Sequence, residues 1–144
     1  MISLLLLVAL SGNTFAAVTD KNCTGADGKY DATAVMCEDK LPAADCENIF
    51  GKAKAEVGKD TDREEKCFKN AAKNEDEQIK KFAISVCPKT CGYCCRTPEY
   101  DCPNSPNPRL ECSRVTGEMC KDPLWKPLLA KDCPKTCGLC LEGK

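Results

Sequence analysis

CPKTCGYC occupies Cys87 to Cys94, and CPKTCGLC occupies Cys133 to Cys140. Sliding the chain by 46 residues superposes the two octapeptides, with CPKTCG identical in both. A two-copy repeat is the simplest reading. Each copy ends in a CGxC tetrad, a spacing that serves a redox pair, half of a zinc site, or two structural bridges to other partners. The remainder of the chain decides among them.

The N-terminus, MISLLLLVALSGNTFAAVTD, has an apolar run from Ile2 to Leu10 followed by small residues. It reads as a secretory signal peptide over residues 1–16, cleaved after Ala16 or, as the next candidate, after Ala17. The alternative, a short buried or anchoring segment, draws on the missing basic residue at the start. The run is short for a bilayer, and no later segment approaches the roughly 20 apolar residues of a membrane helix. A secreted, extracellular chain with no membrane insertion is expected. All 14 cysteines follow the cleavage site. That is about 11 per cent of the mature chain, the composition of a disulfide scaffold, and an oxidising compartment keeps such bridges intact. Aromatic residues make up only 6% and charged residues 30%, so a large core is not expected and bridges carry much of the stability.

The chain contains no histidine. This removes histidine general bases, Ser-His-Asp and Cys-His nucleophilic sites and histidine-containing zinc sites. No Asp or Glu is embedded in an apolar stretch that would raise its pKa. The reading is of a protein that is not an enzyme, with no catalytic residues, metal site or cofactor. A formal net charge of −1 gives no argument for a nucleic-acid partner.

Three cysteines precede each octapeptide: Cys37, Cys46 and Cys67 in the first copy, Cys102, Cys112 and Cys120 in the second. Cys23 and Cys95 are left over. The organisation expected is an N-terminal segment over 17–36, a first module over 37–94, a linker over 95–101, a second module over 102–140 and a tail over 141–144. The first module has the longer spacers, and their composition is charged and helical. Ile49, Phe50, Ala53 and Val57 recur at helical spacing, with Gly58 as the stop. Thr61-Asp-Arg-Glu64 fits a capping box. Beyond it Phe68, Ala71, Ala72, Ile79, Phe82, Ala83 and Val86 share one face of a helix ending at Cys87, before Pro88. Lys73, Glu75, Asp76, Lys80 and Lys81 form its solvated face. The stretch from Arg96 to Arg109 is rich in proline and turn residues, and helical turns near Lys121 to Leu129 are interrupted at Pro123 and Pro127. Strand signals are essentially absent.

Six cysteines ending in CPKTCGxC resemble the ShKT domain, also called the six-cysteine or SXC domain, shared by sea-anemone potassium-channel toxins and many secreted nematode proteins. CED at Cys37 to Asp39 and DC at Asp45-Cys46 are similar to the module's opening. The resemblance implies a small, disulfide-rich, mainly α fold with irregular loops and little strand, here in tandem, the first module enlarged by a charged helical insertion. Fourteen cysteines allow roughly 10⁵ connectivities by the counting rule. The family order, first to sixth, second to fourth and third to fifth, implies Cys37-Cys94, Cys46-Cys87, Cys67-Cys91, Cys102-Cys140, Cys112-Cys133 and Cys120-Cys137. Parity then leaves Cys23-Cys95, since the neighbours Cys94 and Cys95 are difficult to join without strain. Under this order the two cysteines of each CGxC take different partners, which excludes redox cycling.

Toxin members of the family block voltage-gated potassium channels with a Lys-Tyr pair six and five residues before the fourth cysteine. Those positions hold Lys81 and Phe82 in the first module, and Pro127 and Leu128 in the second. An exposed ammonium can stand in for a potassium ion at a ring of carbonyls. The bland reading is that Phe82 belongs to the apolar helix face with Ile79, Ala83 and Val86. Trp125, between Pro123 and Pro127, is either a partner contact or the small core of its module. The partner expected is an extracellular or host protein, bound in a matrix or surface coat or by an excretory product. The alternatives are a potassium channel and, third, a protease. Asn22-Cys23-Thr24 is an N-glycosylation sequon.

Overall fold

The computed structural model describes residues 18–142. The signal-peptide reading of residues 1–16 and the last two residues of the 141–144 tail lie outside the described residues. Every cysteine is bridged. In the first module the bridges are Cys37-Cys94, Cys46-Cys87 and Cys67-Cys91, and in the second Cys102-Cys140, Cys112-Cys133 and Cys120-Cys137. A seventh, Cys23-Cys95, ties the N-terminal segment to the start of the second half. Loops of these lengths each contribute about 3–4 kcal/mol by restricting the unfolded chain.

Five α-helices occur among the described residues: α1 Ala43–Phe50, α2 Glu77–Val86, α3 Gly117–Lys121, α4 Lys126–Asp132 and α5 Pro134–Cys137. Short 3₁₀ turns and loops join them. There is no sheet among these residues, only two isolated bridges, Thr24 with Tyr30 and Lys69 with Glu75. The architecture is a pair of small modules in which sulfur fills space that larger side chains would otherwise occupy. In the first module Cys46, Cys67, Cys87 and Cys91 pack with Phe50, Phe68, Ala83 and Tyr93 in one buried cluster. In the second, Cys133 packs with Leu129 and Leu139.

The spacers of the first module differ from the helices that their periodicity predicts. α1 stops at Gly51, whose φ of 93° terminates the helix while its N–H closes on the Glu47 carbonyl at 2.8 Å. Ala53 and Val57 therefore lie beyond the helix, and Gly58 is not its stop. Thr61-Asp-Arg-Glu64 is not a capping box either. Glu64 precedes a three-residue 3₁₀ turn and makes no side-chain cap. From Asn70 to Asn74 the chain turns back on itself, because the Asn70 side chain accepts from the Ala72 and Asn74 amides, at 3.0 and 3.2 Å. A short polar side chain of this kind competes with helical bonding. Ala71 and Ala72 are consequently exposed at a turn. α2 begins only at Glu77, where Asp76 caps the amides of Gln78 and Ile79 at 2.9 and 3.3 Å. Asp76 is thus a cap rather than part of a solvated face. In the second module Pro127 falls in the first turn of α4, where its missing N–H costs nothing, so it starts that helix instead of interrupting it.

The glycine of each tetrad is required by space as well as by conformation. Gly92 and Gly138 both have φ of 66°. A Cβ at Gly92 would meet Ala55 Cβ at 2.4 Å, and one at Gly138 would meet the Tyr100 ring at 2.5 Å. Tyr100 also donates from its hydroxyl to the Met36 carbonyl at 3.3 Å, so one ring abuts the second octapeptide and reaches the end of the N-terminal segment.

Arg63 lies at the centre of the first module, only 1% exposed. Its guanidinium donates to the carbonyls of Cys91, Gly92 (2.7 Å), Asp20 (3.3 Å) and Asn22 (2.7 Å). Tyr93 and Tyr30 lie over it, with ring centroids 4.0 and 5.3 Å away. One fixed fork thereby joins the first octapeptide to the N-terminal segment. Arg63→Met keeps the apolar volume but leaves these buried carbonyls without donors. It is expected to lower stability by about 3 kcal/mol, measured by urea unfolding with the bridges intact; an unchanged midpoint would show that the fork is not needed.

Candidate functional site

The rotational phase of α2 is set by a buried ammonium. Lys80, with a side chain 10% exposed, lies 3.4 Å from Asp20 Oδ2, 3.1 Å from Glu75 Oε2 and 3.3 Å from Glu77 Oε1. Lys80, Ala83 and Cys87 form the inward stripe, and successive helical residues turn by about 100°. Lys81, Phe82 and Ser85 are therefore directed outward, and all three are exposed. This corrects two expectations. Lys80 is not on the solvated face, and Phe82 does not share the buried side of the helix with Ala83.

Phe82 is 50% exposed, with one side of its ring against the buried Phe50 at a centroid distance of 5.8 Å and a tilt of 45°. The remaining side meets solvent. Lys81 stands next to it with no carboxylate within ion-pair distance among the described residues. A free ammonium beside a braced aromatic ring is a compact contact surface, since a ring held by its neighbour loses little freedom on binding.

The second module presents a different surface. Leu124 is 89% and Trp125 42% exposed, side by side in the turn that leads into α4. Asp122 fixes that turn by accepting from the Leu124 amide at 2.8 Å. Trp125 is outside the cluster built on Leu129, so it is not the core of its module. The positions matching Lys81 and Phe82 hold an exposed Pro127 and a half-buried Leu128, and Lys126 is paired with Glu142 at 3.0 Å. Asp132, largely buried, receives the guanidinium and amide of Arg109 at 2.9 Å in each of three contacts.

The charged centre behind α2 was invisible in the pattern of residue types. Asp20 lies in a stretch with no apolar periodicity, yet it is buried and accepts from the Tyr93 hydroxyl at 2.6 Å and the Asn22 amide at 3.0 Å. Burial pulls the Asp20 carboxyl upward, but the bonds from Tyr93 and Asn22 and the Arg63 charge outweigh it and hold the group below its ordinary range. For Lys80, burial works against the charge, while Glu75, Asp20 and Glu77 overcome it and raise its pKa. Burial also raises the Tyr93 hydroxyl, so it stays a donor. One signal could have located Lys80: counting back from the bridged Cys87 by helical steps of four and three passes through Ala83 to Lys80. The sequon residue Asn22 is half-buried, donates its side-chain amide to Asp20 and accepts from Arg96 at 2.5 Å.

Within each tetrad the two sulfurs go to different partners: Cys91 to Cys67 and Cys94 to Cys37, Cys137 to Cys120 and Cys140 to Cys102. No thiolate is left to act as a nucleophile or ligand. A family model described as ShK domain-like matches residues 61–94 and 95–140. The two matches cover more than half of the sequence, and the chain belongs to that family. The first match begins at Thr61, downstream of Cys37 and Cys46, although both are bridged to the octapeptide it contains. No curated protein and no solved structure matches the chain.

Because the folded pKa of Asp20 is depressed, its contribution is complete above the ordinary carboxylate value near 3.9 and is lost as pH falls below that value through the folded one. Stability should therefore drop below about pH 4, and Asp20→Asn should be less stable at pH 7 with a shallower acid decline. Parallel pH profiles for the two proteins would contradict the assignment.

Proposed function

We propose that the protein acts outside the cell as a two-module binding protein, without catalysis, using side chains that its bridges hold in place. The reading is supported by its membership of a family of disulfide-rich interaction and toxin-like modules. No helix among the described residues is long and apolar enough to cross a membrane, and the cysteine content suits secretion. The observation that carries the reading is the exposure of large apolar side chains on rigid supports: Phe82 backed by Phe50, and Leu124 with Trp125 at the start of α4. Such residues are the usual anchors of protein interfaces. The partner class is an extracellular or host protein.

The second reading is block of a voltage-gated potassium channel through Lys81 and Phe82. The exposed, unpaired state of Lys81 beside Phe82 favours it. The near-neutral charge of the chain offers little long-range steering toward an acidic pore mouth, which is why it stands second.

Two measurements separate these readings. Immobilised protein incubated with extracellular material should capture a specific partner, and Phe82→Ala combined with Trp125→Ala should weaken capture at least tenfold while circular dichroism shows the bridged fold retained. Capture that is indifferent to both side chains would remove them as the contact surface. In recordings of voltage-gated potassium currents, the channel reading expects block at micromolar concentration that Lys81→Ala abolishes. Absence of block by the parent protein would retire that reading and leave the first intact.

A further inference from the structure

A concave surface lies where the first module meets the end of the N-terminal segment, and none of its lining residues comes from α2 or from the second module. It is a groove of about 580 Å³ whose apolar walls are Val35, Leu41, Ala53, Ala55 and Val57. One wall is the chain after α1. Gly51 closes that helix, and the next backbone pairing is the Gly58 amide on the Tyr30 carbonyl at 2.8 Å. Between them none of the amides from Lys52 to Val57 donates to an acceptor among the described residues. Of their carbonyls, only that of Glu56 accepts among the described residues, from Lys59 at 3.0 Å. Ala53, Lys54, Glu56 and Val57 are exposed while Ala55 is buried against the core, and a run of unpaired N–H and C=O groups is a template for pairing with another chain.

The charge around the groove is one-sided. Asp39 is already occupied by the Lys89 and Thr90 amides and the Thr90 hydroxyl, at 2.8, 3.0 and 2.7 Å. Glu38 is paired with Lys89 at 3.1 Å, and Lys54 is drawn away to Glu64 at 2.8 Å. Glu47 and Glu56, both exposed, have no cationic partner among the described residues. The first 17 residues of the chain carry no lysine or arginine, so no side chain there complements these carboxylates.

We propose that this groove docks an extended basic segment of another extracellular protein. Its backbone pairs with the open edge at 53–56, an aliphatic side chain lies against Val35, Leu41 and Ala55, and a flanking lysine or arginine meets Glu47 and Glu56. The surface is separate from Lys81, Phe82 and Trp125, so its occupancy does not depend on what those residues bind.

The test uses the full oxidised protein labelled with ¹⁵N and a blocked heptapeptide of alternating valine and lysine. The expected result is saturable shifts of the amides from 52 to 57, with slowed hydrogen exchange there. A Glu47→Gln, Glu56→Gln double variant should weaken binding at least tenfold, and since both side chains are exposed the fold should be unaffected. Methylating the peptide's backbone nitrogens should abolish the slowed exchange. No shift, equal binding of the peptide with glutamate in place of lysine, or shifts confined to α2 would overturn the proposal. So would the same shifts on raising protein concentration without peptide, which would make the occupant a second copy of this chain.

Discussion

Three bridges converge on eight residues, twice over, and everything else in the molecule is arranged around that convergence. In CPKTCGYC the first cysteine reaches back to α1, the second to the 3₁₀ turn at Cys67 and the third to the opening loop at Cys37. Three sulfurs leaving one short loop toward three separate segments require a tight, left-handed turn between them, and Gly92 and Gly138 supply it. Neighbours then press on the turn so closely that a methyl group would not fit. In the first module the buried carbonyls of this loop accept from Arg63, and through Arg63 the N-terminal segment is fastened to the clasp.

That fastening determines what the protein presents to solvent. Asp20 belongs to the N-terminal segment, and it receives both Tyr93, inside the octapeptide, and Lys80, on α2. A single carboxylate thereby links clasp, segment and helix. Because Lys80 turns inward to reach it, Lys81 and Phe82 turn outward. The seventh bridge, Cys23-Cys95, holds the same segment from its other side. The additional cysteine pair and the enlarged spacers are therefore connected features. The segment that they add supplies a carboxylate, Asp20, for the lysine on the inner face of α2.

Much of the fold was legible in the sequence because cysteine spacing is a discrete signal. Two octapeptides with three cysteines before each define two small modules with little strand, and the family match agrees with that architecture. The first-module spacers were legible only in part. Their apolar residues do recur at helical intervals, but Gly51, Asn70 and Asp76 cut the run into a short helix, a turn and a second helix. Local side-chain-to-backbone bonds prevailed over periodicity. The candidate contact residues were named from the resemblance and from local sequence, and their orientation was not readable. In Lys80-Lys81-Phe82 nothing local says which lysine is inward, since the answer depends on Asp20, sixty residues upstream of Lys80. Arg63 was hidden for the same reason: it lies in a charged stretch, and its acceptors are backbone carbonyls that no residue type reveals.

The claim on which the rest stands is that each CGxC tetrad is a divided clasp. Proteolysis of the non-reduced protein at acidic pH, which suppresses thiol exchange, followed by mass-spectrometric assignment of the linked peptides tests it directly. The account predicts Cys91 joined to Cys67, Cys94 to Cys37, Cys137 to Cys120 and Cys140 to Cys102, with Cys23 joined to Cys95. A Cys91-Cys94 or Cys137-Cys140 linkage, or free thiols within either tetrad, would contradict it.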